Sequence, residues 1–325
     1  MIISKTPLRI SFFGGGTDFP EYFNYNDSYI LGATINKFIY ITFQEKDNVD
    51  EKKIKIFYKN NEFINHVSEI NHNVIKLLLE REKVFKNFEM HICSDMPSYS
   101  GLGTSSAFTV GLKNLISHYK KIKINPYKLA SFSIKFERNV LRETVGFQDQ
   151  IHASYGGFNL LKLKYKNKFV VKKIINKNKI KKIVDNLFLI YTNITRRASD
   201  IEKKKLMKLK KNYETLKNLN KLTQKALLIF DKDLHEDIFG DLLASNWELK
   251  KKLDDVVSNP AIDKIYETGI SSGAIGGKLL GAGAGGFLLF YVNKKNHKKF
   301  RENMKKNYEI IDFQIYDKGS EVVKV

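Results

Sequence analysis

The chain has 325 residues, of which 42% are hydrophobic and 12% aromatic; this is enough to bury a full core and too apolar for a disordered segment. No apolar run reaches membrane-spanning length, the first residues lack the long apolar core of a signal peptide, and the single cysteine, Cys93, excludes an internal disulfide or a multi-cysteine zinc site. A cytoplasmic protein is expected. The formal charge of +21 favours anionic partners. Nucleic acid, a membrane surface and phosphorylated metabolites all qualify, and no zinc-finger spacing or RNA-binding aromatic signature singles out the first.

In chain order, the N-terminal third reads as strands: "IISKTPLRISFF", "YILGATINKFIYITF", "KIKIFY" and "FEMHICS" are rich in β-branched and aromatic residues, with Cys93 expected in the core. A helix is predicted from "SSAFTVGLKNLISHYKK", where Phe108, Leu112, Leu115 and Ile116 recur at helical spacing. Another follows "NPYKLASFSIKFERNVL", with Asn125 as N-cap and Pro126 in the first turn. More strands are predicted from about Gly157 to Thr192, with the lysines of 162–182 on solvated faces. Ser199 to Thr268 reads as mostly helical, and the chain closes with strand, helix and strand. Length suggests two domains or one large one, and a boundary near residue 190 divides the chain into 1–190 and 191–325.

Four stretches carry candidate chemistry. In "PSYSGLGTSSAF", Gly101 and Gly103 precede Thr104, Ser105, Ser106 and a helix; such a loop can turn amides toward phosphates, and a serine hydroxyl can ligate magnesium. An ordinary serine-capped helix fits the same letters. "PLRISFFGGGTDFPEYF" ends a strand in Gly14 to Gly16, Thr17 and Asp18, which suits either hydroxyl binding or a hairpin turn. "TVGFQDQIHASYGGFN" contains Asp149, a candidate proton acceptor or a solvated acid, with Glu137 upstream on a predicted helix. "GAGAGG", residues 281–286, fits the dinucleotide fingerprint, but the apolar "FLLFYV" that follows reads as a strand where the fingerprint requires a helix. No G-K-[ST] loop and no protein-kinase signature is present.

Taken together and in this order, the four stretches resemble the GHMP kinases, the family of galactokinase, homoserine kinase and mevalonate kinase, over nearly the whole chain. "GLGTSS" departs from the commoner G-L-G-S-S-A while keeping the hydroxyl at Thr104. "RISFFGGGTDFP", "GFQDQIHASYGGFN", "TRRAS" and "GGKLLGAGAGGFLLFY" look most like the heptose 7-phosphate kinase subgroup. "GGGTD" differs from the G-E-H-T-D of galactokinases, and fucokinases share the threonine-arginine motif and are the nearest alternative.

The resemblance implies an α+β fold, with an N-terminal domain like domain 2 of ribosomal protein S5 and a ferredoxin-like C-terminal domain. It implies a kinase with ATP and Mg2+ as cofactors and a phosphorylated sugar as partner, without nucleic acid or membrane, and a homodimer is compatible with it. By the same analogy Pro97, Ser100, Gly101, Leu102, Gly103, Thr104, Ser105 and Ser106 form the ATP loop, and Ser105 with Glu137 holds magnesium. Asp149 is the catalytic base beside Arg9. Gly15, Gly16, Thr17, Asp18, Gly157, Arg196, Lys278 and Gly283 contact the substrate, with Arg196 on its existing phosphate; without the resemblance, Arg196 and Arg197 read equally well as surface residues. The alternative from another class, a basic nucleic-acid-binding protein, is separated by ATP turnover in the absence of nucleic acid. A degenerate kinase serving as a sensor requires loss of the acids, and Asp149 and Glu137 are both present.

Overall fold

A computed structural model describes residues 1–47, 51–194, 202–203, 206–232 and 234–325. β1 (Ile2–Phe13) runs antiparallel to β2 (Ser28–Glu45). β2 is long enough to serve two neighbours, pairing with β6 (Phe158–Lys164) through its first half and with β5 (Phe88–Ser94) through its second. β3 (Ile54–Phe57), β4 (Glu62–Ile64) and β7 (Lys168–Lys173) extend the sheet.

The pairing of β1 with β2 slips between Pro7 and Arg9. Proline has no N–H to give the ladder, and Arg9 N instead donates to Leu102 O at 3.0 Å. That irregularity ties the strand to the predicted phosphate loop.

One face of the sheet is covered by α3 (Thr104–Tyr119), α4 (Pro126–Lys135) and α5 (Gln148–Tyr155), while α1 (Pro20–Phe23) and α2 (Asn73–Arg81) are shorter. Leu112, Leu115 and Ile116 are buried in one core with Leu8 and Ile10, as their spacing predicts, and Asn125 Oδ1 accepts from Lys128 N at 2.8 Å as the α4 cap. α4 continues into a wider π turn at Phe136–Val140, which carries Glu137.

The second sheet has the order β11-β8-β10-β9 among the described residues, from β8 (Leu187–Tyr191), β9 (Ala274–Leu279), β10 (Phe287–Val292) and β11 (Glu309–Ile311). α7 (Tyr213–Asp231), α8 (Ile238–Lys251), α9 (Pro260–Ser271) and α10 (His297–Met304) accompany it. Phe12 stacks on Phe158 at 5.1 Å and meets Phe239 of α8 edge-on at 5.5 Å, so the core runs unbroken between the halves.

Three features differ from the sequence reading. The lysine-rich stretch includes a helix, α6 (Lys177–Asp185), capped by Asn176; Ile180, Ile183 and Val184 form its apolar stripe. β8 belongs to the second sheet, so a division at 190 would pass through it, and the final strand β12 (Glu321–Lys324) returns to pair with β1. Cys93 is exposed, because strand alternation puts Phe88 and Met90 on the core side and Cys93 on the other.

Candidate active site

The two glycine-rich loops meet. A Cβ on Gly281, where φ is +67°, would lie 2.5 Å from Gly101 Cα, and one on Gly286 would lie 2.1 Å from Ser100 O. Only glycine permits this approach of two backbones. Lys250 of α8 clamps the second loop by donating to Leu279 O (2.8 Å) and Gly281 O (2.6 Å). As the sequence reading expects, "GAGAGG" runs into a strand, β10, so its glycines serve loop packing and not a dinucleotide fold.

These loops, the start of α5 and the end of β1 enclose a cleft of about 150 Å³. Gly103, in the left-handed region with φ +75°, precedes α3 and offers no side-chain cap, and with Thr104, Ser105 and Ser106 it lines the cleft, so an uncapped helix start suited to anions lies at the cleft wall. Ser100 Oγ and Thr104 Oγ1 are buried at the same wall without a hydrogen-bond partner among the described residues.

Behind this loop stands Glu137, 1% exposed. Its Oε2 accepts from Ser106 Oγ (2.8 Å) and Gln150 Nε2 (2.6 Å), while Oε1 has no partner among the described residues. Burial pushes its pKa up to about 7, against the opposing hydrogen bonds from Gln150 and Ser106. Of the residues around the expected magnesium pair, Ser106 donates to Glu137, while Ser105 is exposed at the cleft. An uncommitted, buried carboxylate oxygen near cleft hydroxyls is a donor set that fits a hard cation such as magnesium.

On the opposite wall, Arg9 forms a forked pair with Asp149, Nε to Oδ1 and Nη2 to Oδ2, both at 2.8 Å. Arg9 Nη1 also donates to Gly101 O at 2.5 Å. One guanidinium thus fixes the carboxylate against the loop, a geometry lysine cannot reproduce.

Asp18 lies beside this pair, 3% exposed, accepting from Gly16 N at 3.1 Å. Burial, with the negative charges of Asp149 and Glu202, raises its pKa to about 6. Lys278 is buried and donates to Ser11 O (3.1 Å) and Phe12 O (2.7 Å); burial and the nearby Arg9 charge bring its pKa down to about 7.

Of the residues expected at the substrate, Gly15, Gly16, Asp18 and Lys278 line the cleft. Thr17 does not: its hydroxyl is spent inside the turn on Gly14 O (2.8 Å) and Ser28 Oγ (2.6 Å). Gly157 is held away from the cleft by its N–H bonds to Thr34 Oγ1 (2.7 Å) and Tyr316 O (2.9 Å). Gly283 packs on Val257, and a Cβ there would lie 3.0 Å from Val257 Cα. In the ATP loop, Leu102 is buried beneath the turn with its carbonyl bonded to Arg9 N, and Pro97 is exposed outside the cleft lining. Arg196 and Arg197 lie outside the described residues.

The sequence reading missed Ser11, Gln148 and Lys250, all at the cleft. Ser11 could have been found from strand alternation, which puts it on the same side as Arg9; Lys250 belongs to no motif. A larger cavity, about 630 Å³, lies between α6, β11 and the segment 312–317, and of the motif stretches only Phe158 reaches it, with none of the candidate site residues. The smaller cleft is the candidate site because it gathers the buried charged groups and the open helix terminus.

Comparison with known proteins agrees with this geometry. The chain matches the GHMP kinases N terminal domain over residues 65–157 and the GHMP kinases C terminal domain over residues 232–310. It is 32% identical to D-glycero-alpha-D-manno-heptose 7-phosphate kinase of Campylobacter jejuni, covering 98% of this chain and 97% of that one. A bifunctional fucokinase/GDP-fucose pyrophosphorylase of Arabidopsis thaliana is 25% identical over 69% of this chain and 22% of its own length. The fold is shared with a D-glycero-D-manno-heptose 1-phosphate kinase from Bacteroides thetaiotaomicron, with a TM-score of 0.81, 23% identity, and coverage of 100% of this chain and 99% of that one. With both domains matched and the relative from Campylobacter aligned end to end, the chain belongs to the GHMP kinase family and is a phosphotransferase of the kind that takes its phosphate from ATP.

Proposed function

We propose that the protein transfers the γ-phosphoryl group of ATP to the anomeric O1 of D-glycero-D-manno-heptose 7-phosphate. The products are ADP and the 1,7-bisphosphate, which would feed nucleotide-heptose and surface-polysaccharide synthesis. The observation that carries the chemistry is the forked Arg9–Asp149 pair set against Gly101 beside the uncapped start of α3. The choice of sugar rests on the Campylobacter relative.

In phosphoryl transfer the protein mainly positions two reactants and offsets charge on the moving group. The amides at Gly101 to Ser106 would hold the ATP phosphates. Asp149 would accept the proton of the sugar O1–H as that oxygen bonds to phosphorus and the bond to the ADP oxygen breaks. Arg9 keeps the carboxylate aligned and faces the transferring oxygens. Glu137 and Ser105 are the residues proposed to hold magnesium, which would neutralise phosphate charge when bound. Arg196 is proposed for the 7-phosphate, by paired hydrogen bonds.

The position of the new phosphate tests the reading. Phosphorus–proton correlation NMR of the product from heptose 7-phosphate should show the added phosphate coupled to the anomeric proton. Coupling to any other carbon's proton would overturn the O1 assignment.

A further inference from the structure

We propose that Ser11 and Gln148 form a hydroxyl-binding subsite that selects the sugar on the acceptor side of the cleft; this deepens the sugar-phosphate kinase reading and rests on it. Both side chains line the cleft and are buried, at 5% and 8% exposure. Ser11 Oγ and Gln148 Oε1 nevertheless have no hydrogen-bond partner among the described residues. A buried polar atom left unsatisfied destabilises the fold, so its persistence in a cleft points to a partner that arrives with the ligand.

The two groups converge on one place. A methyl carbon built on Gly15 would lie 3.7 Å from Ser11 Oγ and 3.9 Å from Gln148 Nε2. Glycine therefore leaves open the space that both polar groups border. Asp18 adds a carboxylate to the same wall, and Gln148 N donates to its Oδ2 at 3.4 Å.

This place is on the acceptor side of the site. Ser11 follows Arg9 on the same side of β1, and Gln148 precedes Asp149 at the start of α5, so both are anchored beside the groups that meet the accepting oxygen. Lys278 fixes the backbone beneath Ser11 through the carbonyls of Ser11 and Phe12. A serine hydroxyl donates and accepts, a glutamine amide does both, and a carboxylate accepts. That set matches the adjacent hydroxyls of a sugar ring and would reject analogues that lack one of them. Thr17, whose hydroxyl is already bonded inside its turn, contributes only structure.

Three variants test the subsite: Ser11→Ala, Gln148→Leu and Gly15→Ala, the last filling the space without removing a polar group. Steady-state kinetics with heptose 7-phosphate should show KM for the sugar raised about tenfold by either polar deletion, the effect of one hydrogen bond. KM for ATP should stay within twofold in all three, and Gly15→Ala should raise the sugar KM as well. Thermal midpoints of Ser11→Ala and Gln148→Leu without ligand should not fall below wild type, because neither atom loses a protein partner. With monodeoxy sugar phosphates, wild type should discriminate against at least one analogue that a variant accepts as readily as the parent sugar. An unchanged sugar KM, equal rises in both KM values, or a lowered midpoint would overturn the subsite while wild-type turnover left the kinase reading intact. Wild-type protein inert toward every sugar phosphate would overturn both.

Discussion

Glu137 and Asp149 are carboxylates of one site held in opposite ways. Asp149 is gripped on both oxygens by Arg9 at the cleft, with a quarter of its side chain accessible. Glu137 is sealed behind the phosphate loop, bonded through one oxygen to neutral Ser106 and Gln150, with no cation at the other among the described residues. A carboxylate aligned by a guanidinium and reachable from the cleft suits proton transfer; one buried with a free oxygen and a raised pKa waits for a positive charge. The contrast separates the proposed base from the proposed metal ligand more sharply than residue type does.

Breaking the comparison at Asp149 should have the largest effect. Asp149→Asn keeps the shape and removes the base, and kcat should fall by about 10³-fold or more while ATP affinity, by calorimetry, stays within twofold. Near-normal turnover would refute the base assignment. Next comes Arg9→Met, which leaves Asp149 without its cation, in the situation Glu137 occupies. Here kcat should drop by about 10²-fold, because the carboxylate loses both hydrogen bonds that align it. Near-normal kcat would mean that Arg9 does not position the carboxylate.

Glu137 can be tested through stability. Its pKa is about 7 in the folded protein against an ordinary 4.5, so the folded state holds the proton more tightly. Stability from this group is therefore full below pH 4.5 and is lost as pH rises through 7, a cost on the order of 3 kcal/mol. Glu137→Gln avoids that cost. In nucleotide-free denaturant titrations it should match wild type at pH 4 and exceed it at pH 8, and added magnesium should stabilise only the wild type at pH 8. Equal stability at pH 8 would contradict the picture of a buried, unpaired charge. The smallest effect is expected at Arg196→Ala: KM for the sugar phosphate should rise by about tenfold with KM for ATP unchanged, whereas equal shifts would remove its assigned role.

The legible parts of the molecule were those with a local cause. α3 and α4 follow from helical spacing and from the Asn125 cap, and the strand after "GAGAGG" follows from its apolar run. The helix α6 was hidden because lysines dilute its apolar stripe of Ile180, Ile183 and Val184. Side-chain direction was less legible than motif membership. Ser106 and not Ser105 faces Glu137 because consecutive residues of a helix point about 100° apart, and Thr17 turns inward to bond Gly14 O and Ser28 Oγ. Arg9 and Asp149, 140 positions apart, meet only through the path of the chain. Their adjacency was expected from the family resemblance; the letters of either segment alone do not show it.

The central claim, a kinase acting on a phosphorylated heptose, is tested most directly by ADP release from ATP and magnesium across a panel of free and phosphorylated hexoses and heptoses. The account expects turnover on D-glycero-D-manno-heptose 7-phosphate well above every other sugar, with no requirement for nucleic acid. Turnover on fucose or galactose with none on heptose 7-phosphate would contradict it.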